Sequence, residues 1–241
     1  WHTDTLINSD GEFMQYLFLV VFVILSVIHL TNCYQGNDSL RTHTKGFLLP
    51  FLIIYYLLLC SVHSINFSSI LLLALLTSWI GDVMLLRSKL YYFIIGGISF
   101  LTAHLCFIPL YFSYIDWISV PVAFLIAAGI IYTSCAYAVF HVLNKALPQP
   151  FFYGVLIYLL INGAMNVFAW AFVFSERNMG GLFVVTGSVL FFCSDIVLFL
   201  VRFHQKGNVF KGHFIIMLTY ILAEFLITQG FFICQLSAAI E

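Results

Sequence analysis

Eight apolar runs, each near the length of a membrane-crossing helix, leave this chain few ways to fold. They cover roughly residues 13–32, 46–62, 66–86, 91–113, 117–141, 151–174, 180–202 and 213–237. A helix needs about 20 predominantly apolar residues to cross the hydrocarbon core of a bilayer. The second run is the shortest. The residues are 63% hydrophobic and 8% charged, whereas an average soluble domain carries about 25% charge. The runs are continuous and do not alternate with period two, so a membrane β-barrel is excluded. The expectation is an all-α, polytopic membrane bundle of about eight transmembrane helices. A polar segment, residues 1–12, precedes a single transmembrane domain over residues 13–238. That segment is acidic and does not read as a signal peptide. The connections are too short for a separate soluble domain.

Glycine and proline mark the joints: Gly36, Pro148, Pro150, Gly180, Gly181, Gly207 and Gly212. Pro50, Pro109 and Pro121 are expected near helix ends or just inside them, where membrane helices tolerate proline. Charge supports the count of eight. With the connections numbered in order, the odd-numbered ones and their flanks hold Arg41, Lys45, Arg87, Lys89, Lys145, Arg202, Lys206 and Lys211. The opposite side holds Arg177 alone, so eight of the nine basic residues share one side. Asp4, Asp10, Glu12, Asp116, Glu176 and Glu241 fall on the other. Basic residues accumulate on the cytoplasmic face, so both termini are expected to be non-cytoplasmic. The protein is expected in the endoplasmic reticulum membrane if eukaryotic and the inner membrane if bacterial. A net charge of −1 offers no basic face for nucleic acid.

Within this apolar frame stand two aspartates. Asp82 lies in SWIGDVMLL and Asp195 in FFCSDIVLFL. Each follows a small residue, Gly81 or Ser194. A carboxylate at membrane depth costs about 2.5–3.5 kcal/mol on insertion scales, and a chain that bears this cost twice uses both groups. Helices three and seven run in the same direction. Asp82 precedes Arg87 by five residues and Asp195 precedes Arg202 by seven. At 1.5 Å per residue both carboxyls lie roughly 7–11 Å inside their basic neighbours, at similar depth. A parallel duplication of four helices would produce this echo, and so would chance.

Other polar groups punctuate the runs. Tyr220, Glu224 and Thr228 are spaced four apart on helix eight, and Asn162 and Asn166 make a similar stripe on helix six. Ser78 sits one turn before Asp82. His104 lies within helix four, His29 near the inner end of helix one, and Lys45 at the start of helix two. Each has a structural alternative, since such side chains also bridge helices by hydrogen bonds and a lysine also snorkels to the headgroups. The six cysteines are scattered without a CxxC pair, so neither a disulfide framework nor a zinc knuckle is indicated. No HxxxH or HExxH pair places two ligands on one helix face. There is no GxSxG nucleophile elbow. No metal and no other cofactor is expected.

Several segments resemble one known family. SWIGDVMLL followed by GGISFLTAHLCFIPLYF resembles the third and fourth helices of the YhhN-like lysoplasmalogenases. TGSVLFFCSDIVLFLVRF resembles their second aspartate motif, LTYILAEFLITQG their last helix, and THTKGFLLPFLIIYY their lysine-to-proline entry into helix two. The likeness runs in order over roughly residues 41 to 232. Glu224 departs from the pattern, where glutamine is expected in many relatives. The resemblance implies an eight-helix membrane enzyme that hydrolyses the sn-1 vinyl ether bond of lysoplasmalogens. Its partners would be the bilayer and a lysophospholipid, lysoplasmenylethanolamine or lysoplasmenylcholine. The products would be a fatty aldehyde and glycerophosphoethanolamine or glycerophosphocholine.

The residues suit that chemistry. A vinyl ether is acid-labile, because protonating the carbon distal to oxygen gives an oxocarbenium ion. One protonated acid and one carboxylate suffice, as in glycoside hydrolysis, where the cation is similar. Asp82 and Asp195 are the expected catalytic pair, with the assignment of acid and base open. Ser78, His104, Asn162, Asn166, Tyr220 and Glu224 are expected to support water or substrate, and Lys45 to attract the lipid phosphate. Two other classes also use buried polar groups: a proton-coupled transporter and a zinc-dependent intramembrane lipid hydrolase.

Overall fold

The computed structural model describes residues 2–143, 151–204 and 211–240. Lys145, Pro148, Pro150, Lys206, Gly207 and Glu241 lie outside the described residues. The described chain is all-helical: α1 (His2–Gln35), α2 (Asp38–Val62), α3 (Ser69–Leu85), α4 (Leu90–Phe112), α5 (Val122–Leu143), α6 (Phe151–Ser175), α7 (Met179–Phe199) and α8 (Gly212–Ile240). A π-helical turn, Leu200–His204, continues α7. Seven of the eight helices are long and apolar enough to cross a membrane, which makes this an integral multi-pass membrane protein.

The eighth, α3, has 17 residues. It, and not α2, is the shortest. Its start is fixed by Ser68, whose hydroxyl accepts from Leu71 N, and its end by the polar run beginning at Arg87. Seventeen residues rise about 25 Å, short of a ~30 Å hydrocarbon core. Asp82, three residues before the last residue of α3, is thereby held close to one end of the bundle. α2 is longer than its apolar run because Asn37 caps it, accepting from Leu40 N, so the polar residues before Lys45 join the helix.

That extension puts Pro50 mid-helix rather than near an end. Proline has no N–H to donate to the carbonyl four residues back, here Gly46. The Trp79 indole supplies the missing donor: Nε1 donates to Gly46 O at 2.9 Å. Trp79 belongs to the SWIGD segment, so the same contact ties the turn carrying Lys45 to the helix carrying Asp82.

Consecutive helices pack as hairpins, α1 with α2, α3 with α4, α5 with α6 and, most intimately, α7 with α8. Small residues permit the close approaches, as in other membrane bundles. A Cβ on Gly180 would fall 2.6 Å from Gly230 O, and one on Gly187 would fall 2.8 Å from Ala223 O. Backbone contact at this seam sets Asp195 of α7 against the Tyr220–Glu224 face of α8. The small residue before Asp82 works likewise. A Cβ on Gly81 would collide with the Phe100 ring, and that ring packs edge-on against Tyr220 at 5.7 Å.

Candidate active site

Asp82 and Asp195 open into one cavity of about 360 Å³. The side chains around it come from α1, α2, α3, α4, α7 with its π turn, and α8. Leu85, Phe93, Phe100, Leu198 and Met217 form apolar walls, and Arg41, Arg87 and Arg202 stand with them. These arginines come from the start of α2, just past the end of α3, and the π turn after α7. Basic residues flanking the first, third and seventh connections thus converge on this one cavity.

Each aspartate has its own setting. Asp82, 1% exposed, lies with Oδ1 3.1 Å from Lys45 Nζ and accepts from Tyr220 OH through Oδ2 at 2.8 Å. Lys45 is therefore half of a largely buried ion pair. Among the described residues, Asp195 has no such cation. Its Oδ2 accepts from Tyr158 OH at 2.9 Å and Asn162 Nδ2 at 2.7 Å, while Oδ1 accepts no hydrogen bond from a described residue. Asn166 Nδ2 donates to both Asn162 O and Asn162 Oδ1, at 3.0 and 3.1 Å. That fixes the Asn162 amide with its nitrogen toward Asp195. The π turn begins five residues beyond Asp195; it aims Arg202 at Ser88 O, to which Nη2 donates at 2.9 Å, and lays the guanidinium over the Phe93 ring at 5.2 Å.

The remaining candidates cluster behind the pair. His104 is fully buried, with Nε2 3.6 Å from Asp195 Oδ2, outside hydrogen-bond distance, and its ring packs edge-on against Phe191 and Tyr158. Glu224 is fully buried and within electrostatic reach of both aspartates, with Ser78 and Tyr220 near its carboxyl. Among the described residues, neither Glu224 oxygen has a hydrogen-bond partner, nor has Ser78 Oγ, Thr228 Oγ1, Asn166 Oδ1 or either His104 nitrogen. Buried polar atoms without protein partners are rare, and those other than the His104 nitrogens follow the turn-by-turn stripes Tyr220–Glu224–Thr228, Ser78–Asp82 and Asn162–Asn166. Their capacity is left for water. His29 also lines the cavity, its Nδ1 2.7 Å from Thr44 Oγ1. Among the described residues, no three His, Cys, Asp or Glu side chains gather as metal ligands.

All nine candidate residues, Lys45, Ser78, Asp82, His104, Asn162, Asn166, Asp195, Tyr220 and Glu224, thus belong to one connected region. Sequence reasoning missed Tyr158, although it extends the Asn162–Asn166 stripe by one turn. It also read Arg41, Arg87 and Arg202 as markers of sidedness only.

A model of the YhhN family matches residues 40–231, well over half of the chain. The chain belongs to the YhhN family. This is the family of lysoplasmalogenases, and the match takes in both aspartates, Lys45 and the three arginines. It begins within α2 and ends within α8, so α1 lies outside the matched region. No curated protein and no solved structure matches the chain.

Proposed function

We propose that this YhhN-family protein is a membrane lysoplasmalogenase, with Asp195 as the acid and Asp82 as the carboxylate that activates water. The observation that carries the proposal is the pairing of two unlike carboxyls in one cavity rimmed by arginines. Lys45 lies against Asp82 as a counter-charge, whereas among the described residues Asp195 receives its hydrogen bonds from the neutral Tyr158 and Asn162, with Oδ1 left over. The lipid phosphate sits among Arg41, Arg87 and Arg202, whose forked donors match its oxygens. Lys45 does not reach for the phosphate, because its charge is committed to Asp82. With the basic end of the bundle toward the cytoplasm, substrate enters from that leaflet.

The steps balance. Asp195 delivers its proton to the vinyl carbon distal to oxygen, leaving an oxocarbenium ion. Water bonds to the cationic carbon as Asp82 takes one of its protons, giving a hemiacetal. The carbon–oxygen bond to glycerol then breaks. Asp82 returns its proton to the departing glycerol oxygen, Asp195 takes the hemiacetal hydroxyl proton, and the aldehyde forms. One water is consumed and both carboxyls are reset. The polar groups behind the pair, Ser78, His104, Asn166 and Glu224, hold the water.

The test uses purified protein in lipid nanodiscs and two substrates, lysoplasmenylethanolamine and its saturated alkyl-ether analogue. Aldehyde release from the first and none from the second is expected, because only a vinyl ether can be protonated on carbon. Failure to release aldehyde from any lysoplasmalogen would overturn the proposal.

A further inference from the structure

A second cavity, of about 270 Å³, lies between α4, α6 and the end of α7. It is almost wholly apolar, and it shares residues with the catalytic site. Phe93 lines both cavities. The Tyr158 ring lines the groove while its hydroxyl donates to Asp195. Phe93 meets Phe199 and Phe203 edge-on, at 6.3 and 5.3 Å, and carries the Arg202 guanidinium on its ring. A small cluster of rings therefore separates a basic chamber from an oily one, with the acid between them. From buried Tyr158 and Phe199 the groove runs outward to Ile98 and Ile157, which are 59% and 53% exposed. Two glycines, Gly97 and Gly154, leave its walls open: a Cβ on either would meet no described residue within 4 Å.

We infer that this groove between α4 and α6 holds the hydrocarbon chain of the substrate and is where the chain passes between the active site and the bilayer. The inference rests on the function proposed above. A lysophospholipid bound with its phosphate among the arginines and its reacting carbon at Asp195 has a long chain still to place. The cavity that holds the carboxyls is rimmed by charge, which an alkyl chain avoids. The groove begins at a ring bonded to Asp195 and ends at side chains exposed where lipid surrounds the bundle. Phe93, which lines both cavities, stands at the junction through which the chain passes, and the glycines set the width of the channel. Chain-length preference is thereby set by Gly97 and Gly154, which the headgroup does not touch.

Filling the groove tests this. Gly97→Leu and Gly154→Leu place a side chain in open space, so both are expected to fold, and each removes a helix-interior glycine. Gly129→Leu, also without neighbours within 4 Å but lining a separate pocket between α5 and α6, is the control. The probes are saturated alkyl-ether lysophosphatidylethanolamines with octyl and hexadecyl chains, which bind without reacting. Binding is measured in nanodiscs by mole fraction of probe. Each groove variant is expected to lose about tenfold or more in affinity for the hexadecyl probe, as an overpacked contact costs, and to keep octyl binding within about twofold of the unaltered protein. A terminal diazirine on the hexadecyl chain is expected to label α4 and α6. Unaltered hexadecyl binding in both variants, or labelling confined to other helices, overturns the inference and leaves the proposed function standing. Absence of binding by either probe to the unaltered protein overturns both.

Discussion

Lys45 Nζ stands 3.1 Å from Asp82 Oδ1, and this ion pair distinguishes the two aspartates from each other. Two acids in like surroundings would compete for one role. The lysine gives Asp82 a counter-charge, and Asp195 has tyrosine and asparagine donors in its place. Breaking a buried pair by removing one partner strands the other charge, at a typical cost of about 3–5 kcal/mol. Lys45→Met is therefore expected to destabilise the protein by about that much. Adding Asp82→Asn in the same chain should restore most of the loss, since no carboxylate is then left unpaired. Thermal unfolding in detergent of the two single variants and the double variant checks this. Purely additive losses would mean that the pair is not coupled.

The same asymmetry predicts different kinetic lesions. Removing a positioned general acid or base costs typically 10²–10⁴-fold. Asp195→Asn and Asp82→Asn should each lower kcat by about that factor while leaving binding of an unreactive alkyl-ether lysophospholipid intact. Tyr158→Phe removes one of two donors to Asp195 and should cost less, about tenfold in kcat, as the loss of one hydrogen bond to a charged or charge-developing group implies. Aldehyde release and probe binding, measured side by side, separate catalysis from affinity.

The arginines should act on KM. Arg87→Gln removes one charged donor at the mouth without touching either aspartate. A hydrogen bond to a charged group is worth about 1.5–3 kcal/mol, so KM is expected to rise tenfold or more with kcat nearly unchanged. The effect should shrink at high ionic strength, because a mouth open to water is screened. Equal falls in kcat and kcat/KM would instead place Arg87 in the reacting geometry.

Much of this architecture was legible in the chain, for identifiable reasons. Apolar run length located all eight helices, because the bilayer fixes how long a crossing must be. The two small–Asp segments were legible because the cost of a buried carboxyl makes chance placement rare. The small residues also proved to have packing roles: Gly81 admits Phe100, and Ser194 donates from Oγ to Ile216 O at 3.1 Å. Polar caps were harder to read against an apolar signal, so α2 was expected to start too late and α3 to run too long. Pairing across helices was not legible. Spacing puts Tyr158 on the face of Asn162, but nothing local says that this face meets Asp195. The pairing of Lys45 with Asp82 is likewise a tertiary fact, found beside the Trp79–Gly46 contact between α2 and α3.

That contact makes its own prediction. With Pro50 unable to donate, Gly46 O depends on the Trp79 indole. Gly46 is half-buried, so leaving its carbonyl unsatisfied is expected to cost about 1 kcal/mol, the low end for such a group. Trp79→Phe keeps the ring bulk and removes the donor, so it should lower stability by about that amount. Pro50→Ala in the same chain should recover the loss by restoring the helical N–H. Unfolding midpoints of the single and double variants decide it, and an undiminished midpoint for Trp79→Phe would show that Gly46 O has another donor.

Among the described residues, Glu224 is the one buried acid whose carboxyl accepts no hydrogen bond. Yet it sits within reach of both aspartates, one turn beyond Tyr220. In the proposed scheme Glu224 is not one of the reacting carboxyls and serves as a neutral polar group that positions water. An amide does the same job without an ionisable proton. Glu224→Gln is thus expected to keep aldehyde release within about threefold and to match or exceed the parent in thermal stability, since an isosteric swap leaves packing intact. Glu224→Leu, which removes the polar group, should slow water addition and lower kcat. Loss of activity in Glu224→Gln as deep as in Asp195→Asn would instead make Glu224 a member of the reacting set, and the two-carboxyl scheme would give way to three.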